Sequence, residues 1–174
     1  MKRRFFFELI FLFAICYPFS AGGSTMLLKI GDKAPEFALQ SSMGDTVRLS
    51  DYSGKNYVAL IFYPGDETPG CTKQLCAVRN DFAEFQAKHV KVFGINPADA
   101  ASHRKFVERH AFPFPLLVDP DRETAKRYGC AGTLFIKRTV FVIDPNGAII
   151  YMKQGMPSDG EILKVVPETN KSEK

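Results

Sequence analysis

The sequence predicts one α/β domain: a central mixed β-sheet flanked by helices, with a β-hairpin extension at its N-terminal end. Three observations carry that expectation. Short apolar runs alternate with segments of helical periodicity through the middle of the chain. Two runs near the end flank Asp144-Pro145-Asn146-Gly147, a tight-turn signal that makes the last two strands antiparallel. With 174 residues, 45% hydrophobic and 24% charged, the chain has the size and balance of a single globular core.

Phe37–Gln40 and Thr46–Leu49 read as an opening hairpin around Met43-Gly44-Asp45, and Asp51–Lys55 as a turn or short helical piece. Val58-Ala59-Leu60-Ile61-Phe62 is continuously apolar, the pattern of a strand buried on both faces. A Pro/Gly turn follows and launches a long helix, with Leu75, Val78, Phe82 and Phe85 along one apolar face. Val90–Ile95 is the next strand, ended by Asn96-Pro97, and Asp99–His110 a helix with Asp99 as cap and Phe106 and Val107 facing the core. Leu116–Asp119 is a short strand, and Arg122–Tyr128 a helix closed by Gly129. Thr139–Ile143 and Ala148–Met152 form the closing hairpin, and Asp159–Val166 a last short helix stopped by Pro167. The expected domain spans 26–166, and 167–174 is a flexible charged tail.

Residues 1–25 lie outside that domain. Lys2-Arg3-Arg4, an apolar run from Phe5 to Tyr17 and small residues up to Ser24 resemble a secretory signal with cleavage after Gly23. Glu8 interrupts the apolar run, and Met26 is a candidate start. The two expectations are therefore a cytoplasmic protein beginning at Met26, which is favoured, or an exported, periplasmic one that loses 1–23. Cys16 is absent from the mature chain either way. Without this segment the charge falls from +4 to +2, with 20 basic and 18 acidic residues, too even for a nucleic-acid surface. Four cysteines are too few for a disulfide-stapled scaffold, so position must give them meaning.

The chemistry concentrates in Tyr63-Pro64-Gly65-Asp66-Glu67-Thr68-Pro69-Gly70-Cys71. Thr68 is the expected helix cap and Pro69 the first helical residue, which puts Cys71 in the first turn. Unpaired N–H groups and the helix dipole favour an anion there, so Cys71 is a candidate nucleophilic thiolate. The bland alternative is a buried, inert thiol. Cys76 lies five residues on, which places the Cα atoms ~8.7 Å apart on a straight helix. A disulfide needs them within about 7 Å. If the two thiols react with each other, the first turn must unwind. The spacing also departs from C-x-x-C, which argues against a metal site and an adjacent-dithiol motif.

Pro64-x-x-x-Thr68-x-x-Cys71 matches the active-site motif of the peroxiredoxins. The longer run from Phe62 through Gln74-x-Cys76 resembles their bacterioferritin comigratory, or Q-type, branch. Ile30-Gly31-Asp32-x-Ala34-Pro35-x-Phe37 and Arg138-x-Val140-Phe141-Val142-Ile143-Asp144 extend the likeness, which covers Leu28 to Lys153. It implies a thioredoxin-like fold and thiol-dependent reduction of hydrogen peroxide and organic hydroperoxides. It implies Cys71 as the peroxidatic cysteine, passing through a sulfenic acid, and Cys76 as the resolving cysteine of an intramolecular disulfide. It implies that Thr68 offers its hydroxyl to peroxide and thiolate, Pro64 shields the pocket, and Arg138 stabilises the thiolate and the leaving oxygen. Thioredoxin or a similar dithiol protein would recycle the disulfide, with no cofactor and no metal.

Taken alone, Thr68 reads as a cap and Arg138 as a salt-bridging residue. Gln74 is expected on the exposed side of its turn. His89, His103 and His110 are expected to be solvated or structural, and Cys130 a bystander rather than an alternative resolving thiol. Ala131–Lys137 and the last helix are shorter than in many relatives. A Gly-Gly-Leu-Gly loop and a C-terminal Tyr-Phe pair are missing, which points to a monomer. The competing readings are a thiol-disulfide oxidoreductase or redox-regulated binding protein on the same fold, and a non-catalytic interaction module. Cys71-x-x-x-x-Cys76 argues against the former, and the set Pro64, Thr68, Cys71 and Arg138 against the latter.

Overall fold

The computed structural model describes residues 27–168. The candidate leader 1–25 with Cys16, the start at Met26 and the tail residues 169–174 lie outside the described residues.

Seven strands form one sheet: β1 Ala38–Ser41, β2 Thr46–Arg48, β3 Tyr57–Phe62, β4 Val90–Asn96, β5 Leu116–Val118, β6 Thr139–Ile143 and β7 Ile149–Gln154. Their spatial order is β2-β1-β5-β4-β3-β6-β7. The pairs β3·β4 and β4·β5 are parallel, and the remaining pairs are antiparallel. The sheet is mixed, as expected, and the opening hairpin joins it through β1 against β5. A short 3-10 helix, Leu49–Tyr52, takes Leu49 from the expected strand and runs into the turn or helical piece expected at Asp51–Lys55.

Among the described residues there are five α-helices: α1 Pro69–Asn80, α2 Phe82–Ala87, α3 Ala100–His110, α4 Glu123–Arg127 and α5 Asp159–Lys164. One apolar layer packs Leu75 and Val78 of α1, Phe85 of α2, Phe106 of α3 and Ile162 and Leu163 of α5 against Ala59 and Ile61 of β3. The other packs Leu60 and Phe62, from the opposite face of the same strand, against Ala125, Tyr128 and Leu49. Strand alternation thus makes β3 the floor of both layers, which is why its sequence is apolar without interruption. Each such buried aliphatic or aromatic side chain contributes about 1.5–3 kcal/mol relative to exposure.

The single long helix expected after Cys71 is two helices. Asp81 leaves helical geometry with φ −97° and ψ 10°, ending α1 and starting α2. The apolar spacing runs through the break, because Phe85 is fully buried in the same layer as Leu75 and Val78. Asp99 caps α3 as expected, its carboxylate accepting from the Ser102 N–H at 2.7 Å. Gly129, at φ 69°, follows α4 in the left-handed region where glycine carries no Cβ penalty.

Candidate active site

The site forms where β3 ends. In the antiparallel register of β3 and β6, Phe62 faces Thr139, so the residue before Thr139 stands beside the loop that leaves β3. That residue is Arg138, and its carbonyl is tied to the Gly155 N–H at 2.9 Å. Its guanidinium reaches over the start of α1. Nη2 lies 3.0 Å from the Cys71 sulfur, and Nη1 donates to Gln74 Oε1 at 2.6 Å. The second hydrogen bond, to Gln74, holds the guanidinium in place over the sulfur. Cys71 is fully buried at the third position of α1, so this contact is shielded from water.

The structure corrects two expectations here. Gln74 is not on an exposed side of the helix: it is buried at 3% exposure, and its Oε1 anchors Arg138. Its Nε2 is a buried donor that no protein atom satisfies, an orientation set by the demand for an acceptor toward Arg138. Thr68 stands at the capping position but makes no side-chain cap. Its hydroxyl instead donates to the Gly65 carbonyl at 3.4 Å, across the loop. Pro64 is half-buried in the same loop.

Asp66 nails that loop to the core. Its carboxylate accepts from the Tyr63 hydroxyl at 2.8 Å, Asn96 Nδ2 at 2.8 Å, the Ser102 hydroxyl at 2.8 Å and His103 Nδ1 at 2.9 Å. The other ring nitrogen of His103 faces the Leu117 carbonyl at 3.2 Å. Both ring nitrogens therefore face oxygen acceptors, which fixes the orientation of the ring. Burial alone would raise the Asp66 carboxyl, but hydrogen bonding to His103, its charge, and the Tyr63 and Asn96 donors outweigh it and hold the carboxyl below its ordinary range. Tyr63 reaches this position because β4 carries Gly94 beside it. A Cβ there would meet the Tyr63 ring at 3.0 Å and Leu116 at 2.6 Å.

His103 is therefore structural, one of the two roles expected for the histidines, and His89 is exposed. His110, half-buried at the end of α3, contacts Cys76 and Glu67, neither of them close to it in sequence. Cys76 is partly buried on α1, and both cysteines of the pair are free thiols within the intact helix. Cys130 lies in the other apolar layer, across the sheet from Cys71. Burial pushes its thiol up to about 11, which leaves it protonated and inert at neutral pH. Among the described residues, no group of three or more His, Cys, Asp or Glu side chains is placed to hold a metal. No helix among them is long and apolar enough to cross a membrane.

Residues 30–152 match the AhpC/TSA family, and the chain belongs to it. Peroxiredoxin Bcp of Bacillus subtilis is 40% identical over 134 residues, covering 72% of this chain and 84% of that protein. The chloroplastic peroxiredoxin Q of Oryza sativa subsp. japonica is 41% identical over 143 residues, covering 78% of this chain; the matched region spans 65% of the plant protein's length. The crystal structure of peroxidoxin BcpB from Mycobacterium tuberculosis superposes with a TM-score of 0.73 at 32% identity, covering 80% of this chain and 94% of that one. The fold is thioredoxin-like, and within the family the chain is a peroxiredoxin of the Q, or Bcp, branch.

Proposed function

We propose that this chain is a thiol-dependent peroxidase that reduces hydrogen peroxide and organic hydroperoxides. The observation that carries this reading is the Arg138 guanidinium 3.0 Å from a buried cysteine sulfur at a helix start. The Cys71 thiolate attacks the near oxygen of the peroxide, the O–O bond breaks, and the distal oxygen leaves as alkoxide or hydroxide and takes a proton. Cys71 becomes a sulfenic acid. Arg138 supports the thiolate and then the charge that develops on the leaving oxygen. The Thr68 hydroxyl, weakly held by Gly65 at 3.4 Å, is free to turn toward the peroxide, and Pro64 keeps bulk water off the sulfur.

Cys76 then attacks the sulfenic sulfur to close an intramolecular disulfide, which thioredoxin or a similar dithiol protein reduces. Closure requires the first turn of α1 to open, since five helical residues hold the Cα atoms ~8.7 Å apart. The protein acts as a monomer. It is cytoplasmic if it begins at Met26 and exported if 1–23 is a cleaved signal; sequencing the N-terminus of the native protein separates these.

The test is one equivalent of hydrogen peroxide added to reduced protein, with the products mapped by mass spectrometry. A rapid Cys71–Cys76 bond, followed by turnover with thioredoxin and its NADPH-linked reductase, is the expected result. Turnover that survives in Cys71→Ser removes Cys71 as the nucleophile. A thiol-disulfide oxidoreductase would exchange with disulfide substrates and ignore peroxide. Cys76→Ser should retain the first oxidation and lose thioredoxin-linked turnover.

A further inference from the structure

The sulfur of Cys76 has a histidine beside it. His110 Nδ1 lies 4.0 Å from Cys76 Sγ, and the opposite ring nitrogen, Nε2, lies 3.4 Å from Glu67 Oε2. The ring is clamped between aromatic neighbours, edge-on to Phe106 with centroids 5.0 Å apart and stacked on Phe112 at 5.5 Å. These contacts join the end of α3 to α1 and the loop before it, 34 residues away at Cys76 and 43 at Glu67. Arg109 pairs with the same Glu67 carboxylate at 2.9 Å, and Arg79 of α1 donates to the His110 carbonyl at 2.7 Å.

We propose that His110 is the general base that activates Cys76 for disulfide closure and that Glu67 is its positioning residue, a reading that rests on Cys76 being the resolving cysteine. A carboxylate at Nε2 accepts the ring N–H on that side and so orients Nδ1 toward the thiol as the acceptor. Nδ1 takes the Cys76 proton, and the thiolate attacks the Cys71 sulfenic sulfur. The S–S bond forms as the S–O bond breaks, and the departing hydroxide recovers the proton from the imidazolium. One thiol and one sulfenic acid become one disulfide and one water, with the Cys76 sulfur oxidised and the Cys71 sulfur reduced.

The same contacts decide which cysteine travels. Arg79 ties the second half of α1 to α3, and Leu75 and Val78 are fully buried, so Cys76 keeps its place against His110. The first turn, tied to Arg138 through Cys71 and, one turn on, Gln74, is the part that opens and brings Cys71 across. The 4.0 Å separation belongs to the reduced resting state, in which catalytic hydrogen bonds are commonly long.

The experiment is single-turnover quench flow with one equivalent of hydrogen peroxide, resolving Cys71 oxidation from disulfide closure by mass spectrometry between about pH 5 and pH 9, the range that brackets imidazole titration. The titratable or charged groups around the ring are Glu67, Cys76, Arg79 and Arg109. In His110→Ala, closure slows roughly 100-fold at neutral pH while Cys71 oxidation proceeds at the wild-type rate. The variant's closure rate climbs toward alkaline pH, following the thiol alone, and added imidazole restores part of the lost rate. Glu67→Gln, which keeps the shape of the loop, slows closure by a smaller factor and shifts its pH profile. Closure at the wild-type rate and pH profile in His110→Ala overturns the base assignment and leaves the resolving role of Cys76 intact. A slowing that is equal at every pH and ignores imidazole also overturns it, since a purely structural part would act that way. If Cys76→Ser still closes a disulfide on Cys71 within the chain, both readings fall.

Discussion

Arg138 and Cys71 are 67 residues apart in sequence and 3.0 Å apart in space. The contact follows from strand pairing: Thr139 lies opposite Phe62, so Arg138 meets the chain as it leaves β3. Lysine keeps the charge but not the fork that bridges Cys71 and Gln74. Arg138→Lys should slow Cys71 oxidation roughly 100-fold, the usual loss for one donor aimed at developing charge. Stopped-flow peroxide consumption reads this directly, and a rate within a factor of two of wild type would remove Arg138 from the chemistry.

Thr68 separates a catalytic hydroxyl from a helix cap. Because the side chain makes no cap bond, Thr68→Val should change stability by no more than about 0.5 kcal/mol while lowering the oxidation rate constant. A true cap would cost about 1 kcal/mol on removal. Urea titration together with peroxide kinetics distinguishes the two roles.

The Asp66–His103 pair is a stability device. His103→Leu removes the imidazole donor to a part-buried carboxylate, and should cost about 1.5–3 kcal/mol. The pH behaviour follows from the depressed Asp66 carboxyl. Its contribution is present above the ordinary carboxylate range and is lost as pH falls through the folded value. Wild type should therefore weaken on acidification below about pH 4, and the variant's stability curve should be flatter there. Melting curves across that range supply the check.

Asp159 works in the opposite direction. It opens α5 in a buried position, and burial, then the Asp81 and Glu84 carboxylates, push it up to about 6. A raised carboxyl binds its proton more tightly in the folded state, so stability present at low pH is lost as pH rises from about 4 to about 6. Asp159→Asn should flatten the dependence of melting temperature on pH in that interval. An unchanged slope would show that the Asp159 carboxyl is not raised in the folded protein.

Cys130 tests the bystander reading. Its thiol is buried in the layer across the sheet from Cys71, so Cys130→Ala should leave thioredoxin-linked turnover within about twofold of wild type, and lose some stability for the small cavity it creates. A collapse of steady-state turnover with folding intact would assign it a redox role.

What the sequence discloses here is largely local. Val58–Phe62 announces itself as a buried strand because its apolar run reports burial on two faces, the turn Asp144–Gly147 marks Thr139–Ile143 as a hairpin strand, and the Pro64-to-Cys71 grammar marks the helix start. The break at Asp81 was hidden because the apolar spacing from Leu75 to Phe85 continues across it. Gln74 reads as exposed because its partner, Arg138, lies 64 residues on, just before β6, and a polar residue declares its burial only through that partner. The histidines show the same limit. His103 and His110 have carboxylate partners on the loop before α1, 37 and 43 positions away, and the fold alone brings them into reach.

The pairing of Phe62 with Thr139 also sets where this chain tolerates change in length. Upstream of Arg138, Leu134 and Phe135 sit on an exposed turn that can lengthen or shorten without disturbing the ladder. Between Arg138 and Thr139 there is no such latitude. One inserted residue would separate the guanidinium from the register that delivers it, and the sulfur would lose its cation in a protein still correctly folded. Drift in loop length can therefore reshape the rim of the site while the charge on the sulfur is inherited with the sheet.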